Sequence, residues 1–196
     1  MKKFFYSLLA LVLGLVLSGS GCNTDDIDPD GVLINGIVWA RYNVGEFGKF
    51  VESPEDPGHF YQWDNITPWP PTGPFSWVTF TSSLTSWTPS YDPCPTGWKL
   101  PSMSDFIDLF MYDEGWDAVH KGRNFATAPT NGIFLPAAGY RLAENGELTQ
   151  FQLSGNYWTR EQLEDTKGLY ISFSSAIIGS GGLQKGSGLS VRCVKE

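Results

Sequence analysis

Apolar and polar positions alternate over short stretches along most of the chain, and Gly, Asn and Pro repeatedly interrupt the alternation. In LYISF (169–173), Leu169, Ile171 and Phe173 fall on one face. In LSVRCV (189–194), Leu189, Val191 and Cys193 share one side, with Ser190 and Arg192 opposite. Successive strand side chains point to opposite faces, so both runs read as half-buried strands. VLI-NG-IVWAR (32–41) sets Asn35-Gly36 between two apolar runs. Asn-Gly suits both positive-φ positions of a type I′ turn, which predicts a hairpin. Asn131-Gly132 and Asn145-Gly146 are further turn candidates, and GSGGLQKGSG (179–188) reads as a flexible connection between the last two strands, free to face a ligand.

The period changes once. After WKLPS, an entry strand or turn, Ser102 is an N-cap with Asp105 as its capping-box acid. Phe106, Leu109 and Phe110 then follow at helical spacing and form one apolar stripe. A second, short helix is predicted around residues 115–121. Residues 42–91 follow neither period: Trp63, Trp69, Trp77 and Trp87 lie among PWPPTGP and Ser/Thr clusters. Prolines this dense oppose regular structure, so the region reads as a long excursion pinned by its aromatic rings.

Composition adds an export history. Lys2 and Lys3 precede an uncharged run, residues 4–17, too short to span a bilayer comfortably and followed by small residues up to Cys22. Residues 1–21 therefore read as a signal peptide. Ser20, Gly21 and Cys22 resemble a bacterial lipobox, with Gly19 where a leucine-like residue is usual, which makes Cys22 the lipidation site. The acidic run that follows, residues 22–31 with Asp25, Asp26, Asp28 and Asp30, reads as a tether and resembles the export signal of surface lipoproteins in the Bacteroidetes. The expected location is the outer membrane, exposed at the cell surface. The formal charge is -8, and removing residues 1–21 leaves 11 basic against 21 acidic residues, a charge of -10. No basic patch points to nucleic acid.

With Cys22 acylated, Cys94 and Cys193 remain. Export places them in an oxidising compartment, where two cysteines make one bridge. The nucleophile alternative for Cys94 needs a histidine base, and His59 and His120 sit in no recognisable motif. No spacing suits a zinc or EF-hand site, so no metal or cofactor is expected. Glu161, Glu164 and Asp165 read as solvated loop charges rather than a glycosidase pair. The chain is expected not to be an enzyme.

Several blocks occur in order: GIVWARYNVG (36–45), GHFYQW (58–63), DPCPTGWKLPSMSDF (92–106), FLPAAGYR (134–141), GNYWTR (155–160) and SVRCVKE (190–196). Together they resemble the Fibrobacter succinogenes major paralogous domain of Bacteroidetes lipoproteins, over residues 32–196. The resemblance implies an α+β, C-type-lectin-like fold of short antiparallel strands with one or two helices and long irregular loops. It also implies a Cys94–Cys193 pairing and a ligand-contacting segment over residues 157–192. The triplets of calcium-dependent sugar lectins are missing. The expected function is a surface-anchored module that binds a glycan or a protein through Tyr157, Arg160, Gln162, Gln184 and Lys185; the alternative is a fimbrial accessory, tip or envelope assembly subunit.

Overall fold

The computed structural model describes residues 29–127 and 131–196. The expected signal peptide (residues 1–21), the expected lipidation site Cys22 and most of the expected tether (residues 22–31) lie outside the described residues. In chain order the elements are β1 (Gly31–Ile34), β2 (Ile37–Asn43), β3 (Tyr61–Gln62), β4 (Trp98–Lys99), α1 (Met103–Phe110), β5 (Asp113–Asp117), β6 (Gly122–Thr127), β7 (Asn131–Pro136), β8 (Tyr140–Arg141), β9 (Leu148–Thr149), β10 (Ser154–Glu164), β11 (Lys167–Ser174), β12 (Ile178–Gln184), β13 (Gly188–Leu189) and β14 (Arg192–Lys195). They form four antiparallel sheets, ordered β1-β2-β14-β4, β10-β11-β12, β3-β13-β8-β9 and β5-β6-β7.

The local signals hold where one turn of chain suffices to satisfy the backbone. Ile34 pairs with Ile37 across Asn35 and Gly36, whose φ values are 48° and 80°. Ser102 caps α1: its hydroxyl accepts from Asp105 N (3.1 Å), and Asp105 Oδ2 accepts from Ser102 N (2.7 Å). Glu161 adds a carboxylate that accepts from Met103 N at 3.1 Å, where the helix N-terminus favours negative charge. Phe106 and Leu109 turn inward onto Trp39, Ile171 and Phe173.

The α+β expectation is corrected: the chain is mostly β, with 45% strand against 7% helix. The proposed helix around 115–121 is replaced by β5 and a turn. Trp116 pairs with Arg123 on β6, and the Asp117 carboxylate accepts from the Val119 and His120 amides, closing the chain back on itself. Asn131-Gly132 is not a turn; both residues open β7, paired with Thr127 and Ala126. GSGGLQ is not a loose connection either. β11 supplies its hydrogen bonds, with Ile171 opposite Ser180, so a strand forms where glycine has little propensity of its own. Glu161 and Glu164 likewise lie on β10 rather than on a loop.

Cys94 and Cys193 form a disulfide, with Cα atoms 6.0 Å apart and a sequence separation of 99. Closing a loop of that length stabilises the fold by about 4–5 kcal/mol in the chain-entropy model. The DPCPTGWKL segment is held ready for the bridge by Asp92, which accepts from Cys94 N (3.0 Å) and Leu100 N (2.9 Å). Cys193 packs with Trp98, Trp158, Leu189 and Val191 in a second core cluster.

The half-buried reading of LSVRCV is also corrected, because Ser190 and Arg192 are as buried as their neighbours. Arg192 Nε donates to Asn43 Oδ1 (2.9 Å), one terminal nitrogen donates to the carbonyls of Ala40 (2.9 Å) and Arg41, and the other to Phe134 O (2.9 Å). Asn43 Nδ2 donates to Tyr157 Oη (3.2 Å), which donates to Pro136 O (2.9 Å). One cation thus binds β14, β2, β10 and β7 together through neutral oxygens.

Candidate functional site

Residues 77–88 contain no strand or helix beyond an isolated bridge at Ser86, yet they are pinned as a strap across the molecule. Trp77 Nε1 donates to Ala143 O at 3.0 Å. Gln62 Nε2 donates to Val78 O (2.8 Å) and to Gly186 O (3.0 Å), which ties the strap to the chain beyond β12. Asp64 accepts from the Ser82 hydroxyl (3.2 Å) and from Thr88 N (2.7 Å). The strap crosses so close to Gly186 that a Cβ there would stand 2.7 Å from Phe80 O.

Lys185 is the centre of this arrangement. It is 2% exposed, and its Nζ donates to Leu84 O (2.6 Å), Gln162 Oε1 (2.9 Å) and Ser82 O (3.2 Å) while lying 4.5 Å from the Trp63 ring centre. Burial holds its ammonium pKa below the ordinary lysine value, partly offset by the charges of Asp165 and Asp64.

Between the strap, the turn at Ala143–Glu144 and the end of the β11–β12 hairpin lies a groove of about 390 Å³. Thr79, Thr81, Glu144, Thr166 and Gln184 line it, with Phe80 contributing apolar surface. Among the described residues the side chains of these five polar residues make no hydrogen bond within the chain, so three hydroxyls, a carboxylate and an amide face the groove unengaged. Its polar groups are exposed and free, which suits hydrogen bonding to a ligand rich in hydroxyls.

The five contact residues expected from the sequence do not converge. Tyr157 is no surface contact: it is 0% exposed, its hydroxyl is used twice, and its ring stacks on Phe173 at 6.0 Å. Burial pushes its phenol pKa up to about 12. Lys185 is no surface contact either, since its charge faces inward and holds the strap. Gln162, half-buried, serves Lys185. Arg160 is exposed but lines a separate cleft with Trp87, Asp92 and Trp98. Gln184 alone reaches the groove with a free side chain.

Comparison with known proteins yields no relative. No family model matches the chain, and neither a curated protein nor a solved structure matches it. The groove therefore rests on its own geometry. Sequence reasoning missed Thr79, Thr81, Glu144 and Thr166, which come from three separate loops. The one available signal was Glu144, immediately before the Asn145-Gly146 turn. Among the described residues no group of three His, Cys, Asp or Glu side chains is placed to hold a metal ion.

Proposed function

We propose that this chain is a binding module, displayed at the outer membrane surface through a lipid on Cys22, and that its groove takes a glycan. The observation that carries this reading is the set of unengaged hydroxyl, amide and carboxylate groups that line the groove beside Lys185. Sugars present many hydroxyls and few charges, and they are recognised by directional hydrogen bonds with some apolar contact, which Phe80 offers here. The tether supplies reach rather than specificity. The blocks that resemble the Fibrobacter succinogenes major paralogous domain support an exported binding role, but a mostly β architecture does not by itself imply sugar binding.

The test is binding of the full chain to an oligosaccharide array, followed by titration of any hit. Gln184→Ala and Glu144→Ala are each expected to weaken binding about tenfold, the loss of one hydrogen bond of roughly 1–1.5 kcal/mol. Arg160→Ala, in the separate cleft, is expected to leave it unchanged. A hit whose affinity survives the Gln184→Ala/Glu144→Ala double variant would remove the groove from consideration.

A further inference from the structure

The groove beside the strap has carboxylates and no free cation. Its strap wall, residues 77–88, carries no charged side chain. The turn at Ala143–Glu144 brings the exposed, unengaged carboxylate of Glu144. The end of the β11–β12 hairpin brings Asp165, next to Thr166. Three cations lie on or next to these elements among the described residues, and each is already engaged. Lys167 pairs with Glu164 at 3.0 Å. Arg141, 3% exposed, donates to the carbonyls of Gly146, Pro70 and Pro71. Lys185 gives its ammonium to Ser82, Leu84 and Gln162.

Lys185 does not leave the groove positive. The charges of Asp165 and Asp64 both act on its ammonium, so one buried cation faces two carboxylates before Glu144 is added. A cleft lined by one sign of charge concentrates ligands of the other sign. An anionic sugar, such as a uronate or a sulfate ester, is repelled here. A neutral hydroxyl gives Glu144 a hydrogen bond, and an ammonium gives it a hydrogen bond and the attraction of opposite charges. The other N–H groups of that ammonium find acceptors in the Gln184 carbonyl and the three threonine hydroxyls, and the Phe80 ring lines the same wall. The chain already holds one ammonium in this way on the inner side of the strap, where Lys185 Nζ has three oxygen acceptors and lies 4.5 Å from the Trp63 ring centre.

We propose that the groove binds an amino sugar whose amine is free and protonated, and that Glu144 is the residue that selects it. The proposal rests on the glycan reading above and narrows it to one class of sugar. N-acetylation removes the charge that Glu144 recognises, and a hydroxyl in place of the amine never carries it. The net charge of the whole chain, -8, acts in the same direction by drawing a cationic ligand and opposing an anionic one.

The test is titration of the full chain with oligosaccharides of gluco and galacto configuration, each in three forms that differ at carbon 2 alone: free amine, N-acetyl and hydroxyl. At mildly acidic pH, where the amine is protonated, the amine form of at least one configuration is expected to bind about tenfold more tightly than its two neutral forms. Glu144→Gln keeps the shape of an exposed side chain and removes its charge, and it is expected to erase that difference. Arg160→Ala, in the separate cleft, is expected to preserve it. The difference should also shrink as salt is added, because the pair is exposed. An amine form that binds no more tightly than its hydroxyl form, or a preference that survives Glu144→Gln, overturns the proposal and leaves the glycan reading standing. A lysine peptide forms the last arm. If no sugar binds, the proposal and the glycan reading fall together, and a lysine peptide held through Glu144 would then show a protein ligand in the groove.

Discussion

Arg192 and Lys185 are both cations removed from water, and both are held by neutral oxygens rather than carboxylates. They differ in what those oxygens belong to. The acceptors of Arg192 sit on β2 and β7, strands already fixed by their ladders, so the guanidinium locks rigid pieces together. Two of the three acceptors of Lys185 are carbonyls of the strap, which has no ladder. Its ammonium supplies the order that secondary structure does not. A planar guanidinium with five donors suits the first task, and a compact ammonium with three donors suits the second.

If that contrast is right, removing Arg192 acts globally and gives the largest effect. Arg192→Met leaves Asn43 Oδ1 and three carbonyls without their donor inside the core. Breaking a buried network of this kind is expected to cost about 3–5 kcal/mol in urea unfolding with the disulfide intact. A loss below about 1 kcal/mol would mean that water or neighbouring donors replace the guanidinium and that the four strands do not depend on it.

Lys185→Met should act locally. Methionine keeps most of the packing on Trp63 but donates nothing to Ser82, Leu84 or Gln162. The expected global cost is smaller, about 1–3 kcal/mol, because the strap can open to water and resolvate its carbonyls. Hydrogen exchange should show loss of protection confined to residues 79–88, and any binding in the groove should go with it. Protection lost across β2 and β14 as well would erase the distinction between the two cations.

The smallest effect belongs to an exposed pair that serves as the counterexample. His120 Nδ1 lies 2.8 Å from Asp117 Oδ2. The hydrogen bond and charge of Asp117 raise the His120 pKa above 6.5, and His120 in turn holds the Asp117 carboxyl down at about 2 against an ordinary 3.8. A raised histidine pKa stabilises the fold fully below pH 6.5, and the benefit is lost as pH rises through the raised value. A lowered aspartate pKa stabilises it above pH 3.8, and the benefit is lost as pH falls toward 2. The melting temperatures of wild type and His120→Gln should therefore differ most between about pH 4 and 6.5 and converge at higher pH. A difference that is the same at all pH values would rule out an electrostatic origin.

The same contrast explains what could be read in advance. The hairpin at Asn35-Gly36, the capped helix at Ser102 and the bridge between Cys94 and Cys193 follow from turn geometry, capping chemistry and cysteine count. Each of these needs only a few residues or a compartment. The pinned, Trp-rich excursion was legible for a similar reason, since dense proline excludes ladders and leaves side chains to do the fixing. The strand at Ile178–Gln184 was not legible, because glycine states no preference and β11 decides. The inward turn of Tyr157 was not legible either, since its partner Asn43 lies 114 residues away.

By itself, then, the amino-acid order determined the short-range chemistry of this protein: where the backbone turns, where its one described helix begins and which thiols remain to pair. Only the tertiary structure decided which polar groups face inward and which face a ligand. A polar side chain in an alternating strand is equally compatible with water and with a buried set of acceptors. Arg192 and Lys185 went inside because folding brought carbonyls from distant segments to meet them, and Thr79, Glu144 and Gln184 remained free because it brought none.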